Sequence, residues 1–178
     1  MRKKIFSLLL GAAVSASNAA TPQENVDANF PDKGKTPYLS AAEELKTLEL
    51  QDGYYLELVL DDPTIKEPVI SVFDGNGNMY VAEMRTYMQD VDGSGAFNPI
   101  SRVSRHEDTN GDGKYDKHTV FADNLVLPRI ILPLDNRIII GETNTLDLYC
   151  YEDTNGDGVS DKKTLWFKGG PRGGNLEH

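Results

Sequence analysis

Residues 107–119 read "EDTNGDGKYDKHT" and residues 152–164 read "EDTNGDGVSDKKT". Ten of the thirteen positions are identical at a shift of 45 residues, so the chain carries an internal repeat. Each copy is crowded with Asp, Asn and Gly, the residues of tight turns, and each sits between runs of strand-forming residues. Upstream, "NMYVAE" ends at Glu83 and "NRIIIGE" ends at Glu142, a spacing of 59. The first copy therefore holds 14 extra residues between that glutamate and the acidic phrase, supplied by "MRTYMQDVDGSGAFNP" at 84–99. One unit thus reads hairpin, connection, acidic hairpin, or four strands in about 45 residues.

Short runs rich in Val, Ile, Leu and Tyr predict strands at 54–60, 69–73, 79–84, 100–106, 117–121, 130–134, 137–141, 146–151 and 162–167. "FDGNGNMYVAE" adds a hairpin signal, because Asn76-Gly77 readily takes positive φ, and "PLDNRIIIGE" is a shorter version of it. Ser40 followed by Glu43 fits a capping box at the head of one short helix over 41–48. Four-stranded units of this length are how β-propeller blades are built, each sheet packing its faces on its neighbours. The expected fold class is therefore all-β: a partial β-propeller over 39–178, of about two four-stranded blades plus the start of a third. Two units do not close a ring of at least about four blades, and open outer faces predict a longer parent chain or assembly with other copies. A fragment is the favoured reading.

The acidic phrases supply their own chemistry. The first places Asp108 at position 1, Asn110 at 3, Asp112 at 5, Gly113 at 6 and Asp116 at 9; the second places Asp153, Asn155, Asp157, Gly158 and Asp161 likewise. Alternate residues of a tight loop point to one side, so oxygens at 1, 3 and 5 converge, and position 7 offers a backbone carbonyl. Crowded carboxylates repel one another, and a hard divalent cation turns that cost into a gain. Two structural Ca2+ sites are therefore expected. Position 12 is Thr119 or Thr164 and not the bidentate glutamate of an EF-hand, and the flanks read as strands. Glu107, Glu152, water or a neighbouring unit would complete the shell, with modest affinity of about 10⁻⁴ to 10⁻³ M. The alternative for each loop is a solvated Asx-rich turn without metal.

The 178 residues suffice for the core of one domain, and the formal charge of −10 with no basic stripe argues against nucleic acid as a partner. "MRKKIFSLLLGAAVSASNAA" has a positive start, a short apolar run and small residues at Ser17 and Ala19, the pattern of a secretory signal over 1–19. Its apolar run falls well short of the roughly 20 residues a spanning helix needs, so no transmembrane span is expected. Cleavage would leave 15 Lys and Arg against 28 Asp and Glu, and the product is expected to be periplasmic or extracellular. Residues 20–38 read as a polar linker. Cys150 is the one cysteine, which rules out a disulfide within the chain and fits a buried strand position.

Three stretches, "GYYLELVLDDPTIKEPVISVFDGNGNMYVAEMRTYMQDVDGSG", "RHEDTNGDGKYDKHTVFADNLVLPR" and "RGGNLEH", resemble the N-terminal part of the membrane-bound dehydrogenase-like propeller proteins of planctomycetes and verrucomicrobia. That family is similar in fold to soluble quinoprotein sugar dehydrogenases. The resemblance implies pyrroloquinoline quinone in a full-length parent, a sugar or alcohol substrate, and a cytochrome c domain or protein as electron acceptor. No C-x-x-C-H haem motif occurs in these 178 residues. On this resemblance the catalytic candidates are His178 as general base, with Arg85 and Arg172 holding an anionic group. Glu83, Tyr87, Arg129, Asn175 and Glu177 fall in the same connections; the bland alternative for all of them is salt bridging and turn capping. His106 and His118 read as surface strand residues and Trp166 as blade core. Two function classes stay open: an exported propeller dehydrogenase, and a calcium-stapled module binding a glycan or protein without turnover.

Overall fold

A computed structural model of the chain describes residues 38–170. The signal segment, all of the linker but Tyr38, and Arg172, Asn175, Glu177 and His178 lie outside the described residues. Helix α1 (Ala41–Glu44) opens with the expected capping box: Ser40 Oγ accepts from the Glu43 amide, and the Ser40 amide donates to Glu43 Oε2 at 2.8 Å. It tightens at once into a 3-10 turn, Leu45–Thr47, short of the expected Leu48. Neither piece buries a residue, so no packing extends a helix that propensity alone cannot hold.

Eight strands follow in two antiparallel sheets, confirming the all-β expectation. Sheet A runs β1 (Pro68–Phe73), β2 (Met79–Glu83), β3 (Ser101–Glu107), β4 (Lys117–Leu125) in chain order, and sheet B runs β5 (Pro128–Leu134), β6 (Arg137–Glu142), β7 (Leu148–Glu152), β8 (Lys162–Phe167). The repeat extends to hydrogen-bond register: Tyr80 opposes Arg105 as Ile139 opposes Cys150, and Val72 opposes Tyr80 as Leu132 opposes Ile139. Even the irregularities recur. Register shifts between Pro68 and Ile70 and between Val103 and Ser104 return between Pro128 and Ile130 and between Leu148 and Tyr149.

Residues 54–60 carry strand residue types yet join neither sheet. Leu56, Leu58 and Val59 stay exposed.

The two sheets share one core. Tyr80, Ala82, Val103, Phe121 and Leu125 of sheet A meet Ile131, Ile138, Ile140 and Tyr151 of sheet B, with Tyr80 edge-on to Phe121 at 5.3 Å between ring centres. Cys150 is buried as expected. Two other expectations fail. Trp166 is 57% exposed and not core, because no third layer covers its face of sheet B among the described residues. His106 is not a surface residue but wholly buried, since both ring nitrogens find partners: Ser104 Oγ at 3.0 Å and His118 Nδ1 at 2.8 Å. Burial, and then the neighbouring His118, push the His106 imidazole down to about 4. His118 itself is exposed on its strand.

Candidate functional site

Each acidic phrase forms the turn of an outer hairpin, β3–β4 or β7–β8. Asp108 organises the first. Its Oδ1 accepts from the Gly111 amide at 2.7 Å and the Asp112 amide at 3.3 Å, and its Oδ2 from Gly113 at 2.8 Å. Asp153 repeats this with Gly156 at 2.7 Å, Asp157 at 3.3 Å and Gly158 at 2.8 Å. Position 3 caps position 5 in both, with Asn110 Oδ1 accepting from Asp112 at 2.8 Å and Asn155 Oδ1 from Asp157 at 2.9 Å. Position 5 then accepts from position 7: Asp112 Oδ1 from the Lys114 amide, Asp157 Oδ1 from the Val159 amide.

Such donors stabilise the charged carboxylate. The Gly113 amide, helped by those of Gly111 and Asp112, holds Asp108 below the usual carboxylate range. Slight burial pushes Asp153 up, but the Gly158, Gly156 and Asp157 amides outweigh it, and its carboxyl also sits low.

The glycine at position 6 is required by conformation, with φ of 86° at Gly113 and 91° at Gly158. A Cβ at Gly158 would also stand 3.4 Å from Arg105 Nη1 and Thr119 of sheet A, whereas at Gly113 it would meet nothing within 4 Å. Gly158→Ala is therefore expected to cost about 1–2 kcal/mol from the left-handed backbone. Gly113→Ala should cost the backbone part alone, and thermal melts of both variants check the ordering.

The carboxylates at position 9 are engaged elsewhere. Asp116 Oδ1 accepts from the Thr109 amide at 3.0 Å and from Thr109 Oγ1 at 2.8 Å, and Asp161 does the same with Thr154 at 3.1 and 2.9 Å. Their amides close each loop on the carbonyls of Glu107 and Glu152, both at 3.0 Å. Those two glutamates are ion-paired: Glu107 with Arg105 at 3.0 Å and Lys117 at 2.9 Å, Glu152 with Lys162 at 3.1 Å. Among the described residues, no group of three or more His, Cys, Asp or Glu gathers at metal-holding distances. What the loops share is two carboxylates and one amide oxygen at positions 1, 3 and 5, each accepting from backbone amides of its own loop.

Of the catalytic candidates, only Arg85 lies within the described residues. Its guanidinium is bound to Glu83 Oε2, at 3.0 Å from Nε and 2.7 Å from Nη2. Tyr87 and Arg129 line a cavity of about 580 Å³ together with Met84, Met88, Phe97 and Leu127, walled on one side by the 14-residue insertion. The glutamates closing β2 and β6, Glu83 buried and Glu142 partly buried, were legible mainly as a recurring letter. Each reaches back to hold the chain ahead of its sheet: Glu83 accepts from the Lys66 amide at 3.0 Å, Glu142 from the Val126 amide at 2.6 Å. They anchor the start of each unit.

Residues 40–178 match a family described as a domain of unknown function, DUF7133. The chain belongs to the DUF7133 family. Both sheets and both acidic loops of this DUF7133 domain fall inside the matched span. No curated protein and no solved structure matches the chain. No helix of the domain among the described residues is long and apolar enough to cross a membrane.

Proposed function

We propose that this DUF7133 domain is part of an exported calcium-binding β-propeller protein, in which each acidic loop holds one structural Ca2+ and fixes the outer hairpin of a blade. The observation that carries the reading is the duplicated loop, in which the same carboxyl, amide and backbone atoms are arranged twice by the same hydrogen bonds. Both copies keep two carboxylates and one amide oxygen at positions 1, 3 and 5, the kind of oxygen donor set that a hard cation takes. Asp108, Asn110 and Asp112 would bind in the first loop, and Asp153, Asn155 and Asp157 in the second. Asp116 and Asp161 would act through water or hold the loop closed on Thr109 and Thr154.

Calcium at about 10 mM with a dissociation constant of about 10⁻⁴ to 10⁻³ M stabilises by about 1.4–2.7 kcal/mol per site. The melting temperature is therefore expected to rise in calcium relative to chelator, and by about half as much in Asp108→Asn. An unchanged melting curve for the unmodified chain would reject the sites. Magnesium, which demands a tighter octahedral shell, should substitute poorly.

The resemblance to sugar and alcohol dehydrogenases extends the proposal to redox chemistry in a chain with further blades, with pyrroloquinoline quinone as cofactor and a cytochrome c domain or protein as acceptor. Quinone-dependent dye reduction lost in His178→Ala is its test. The second reading, a module that binds a glycan or protein without turnover, is favoured by Arg85, whose charge is already taken by Glu83.

A further inference from the structure

The internal contact between the two sheets is a template used once, with both of its complementary halves left over. Sheet A turns Tyr80, Ala82, Val103 and Phe121 towards sheet B, which answers with Ile138, Ile140 and Tyr151. Register equates Tyr80 with Ile139, Ala82 with Gly141 and Val103 with Leu148, all on the opposite face of sheet B. In the same way Ile138 and Ile140, which sheet B turns towards sheet A, correspond to Met79 and Val81 on the outward face of sheet A. The sheets are thus stacked front to back, in the same orientation.

The outward face of sheet B therefore repeats the positions that make the internal contact; Ile139 and Cys150 at its centre are buried, and its positions on the flanking strands β5 and β8 are exposed. Phe121, at the irregularity of β4, is 3% exposed, whereas its counterpart Trp166 is 57% exposed. Val72 packs against the shared core, whereas its counterpart Leu132 is 53% exposed. The outward face of sheet A carries the answering half, an apolar groove of about 490 Å³ lined by Val59, Ile65, Ser71 and Phe73 and floored by the buried Met79 and Val81. Phe73 on it is 61% exposed.

We propose that the outward face of sheet B docks onto the outward face of sheet A of a second copy of this chain, repeating the internal contact head to tail. A second copy is the occupant because both halves belong to one molecule and the contact they would form is continuous with the interface it already has. A head-to-tail contact is heterologous, so it generates a ring if the rotation closes and a filament if it does not. The inference rests on the repeat in register and not on any metal or on the ring reading, and its test contains no calcium step.

The full chain is followed by sedimentation velocity from micromolar to near-millimolar concentration, together with Leu132→Arg, which blocks sheet B, and Phe73→Arg, which blocks sheet A. The expected result is association of the unmodified chain, a monomer for each variant alone, and a one-to-one pair when the two variants are mixed, since each retains the face the other has lost. A chain that stays monomeric throughout has its faces covered by its own residues, and the proposal is overturned. It is equally overturned if Phe73→Arg still dimerises, which would mean two like faces meeting, or if the mixture remains monomeric. Circular dichroism confirms folding; should either variant melt without cooperativity, Ile130→Arg and Ser71→Arg, on the same two faces and likewise exposed, carry the same test.

Discussion

Glu83→Ala is expected to destabilise the fold by about 3–5 kcal/mol, enough to consume much of the stability of a domain this size. The carboxylate is 1% exposed and accepts from three donors: the Lys66 amide and the Nε and Nη2 of Arg85. Removing it leaves a mostly buried guanidinium, 22% exposed, without its counter-charge and an amide without its acceptor. Glu142→Ala is the internal control. Its Val126 amide is orphaned too, but the nearest cation, Lys163, stands 3.7 Å away and is 46% exposed, so it returns to water at little cost. The control should lose about 1.5 kcal/mol, the worth of one hydrogen bond to a charged group. Urea midpoints measure both, and equal losses would show that Arg85 draws no support from the pair. Leu at both Glu83 and Arg85 should recover much of the loss, because breaking a buried pair costs more than replacing it.

Repeat, strand positions and loop spacing could be read from the letters because each follows from local chemistry. Asp and Gly at fixed offsets make a turn wherever they occur, and seven of the eight strands lie within two residues of a predicted run except where β4 continues to Leu125. What the letters concealed depends on neighbours in space. Residues 54–60 have the composition of a strand but join neither sheet, because pairing is decided by which edge the chain reaches and not by composition. His106 lies in "SRVSRHE", whose alternating polar residues suggest a wet face, yet Ser104 and His118 satisfy its ring and allow complete burial. Trp166 errs in the other direction: a large aromatic signals core, but burial requires a layer opposite.

The acidic loops divide along the same line. The amides that fix Asp108 and Asp153 follow from the glycines beside them, and the capping of position 5 by position 3 from the Asn two residues ahead of each Asp. The turning of Asp116 and Asp161 to Thr109 and Thr154 does not, because spacing alone cannot choose between a cation and a hydroxyl at the same reach. The same holds for Glu107 and Glu152, which pair with lysines across the strands that the loops connect.

The shared core makes a last prediction about how the sheets lose structure. Ile140 is wholly buried at the contact between them, so Ile140→Ala removes three heavy atoms from a site with apolar neighbours on both sides and is expected to cost about 2–5 kcal/mol. Leu132, one strand away but on the outward face, should cost no more than about 0.5 kcal/mol when cut to alanine in a dilute monomer. Because Phe121 and Leu125 of one sheet belong to the same buried cluster as Ile131 and Ile138 of the other, neither sheet retains its core alone. Ile140→Ala should therefore lower a single transition seen alike by backbone ellipticity and by the fluorescence of Trp166, which lies in sheet B. Two separated transitions, with only the one reported by Trp166 displaced, would mean that the sheets fold independently and that the contact between them contributes little to stability.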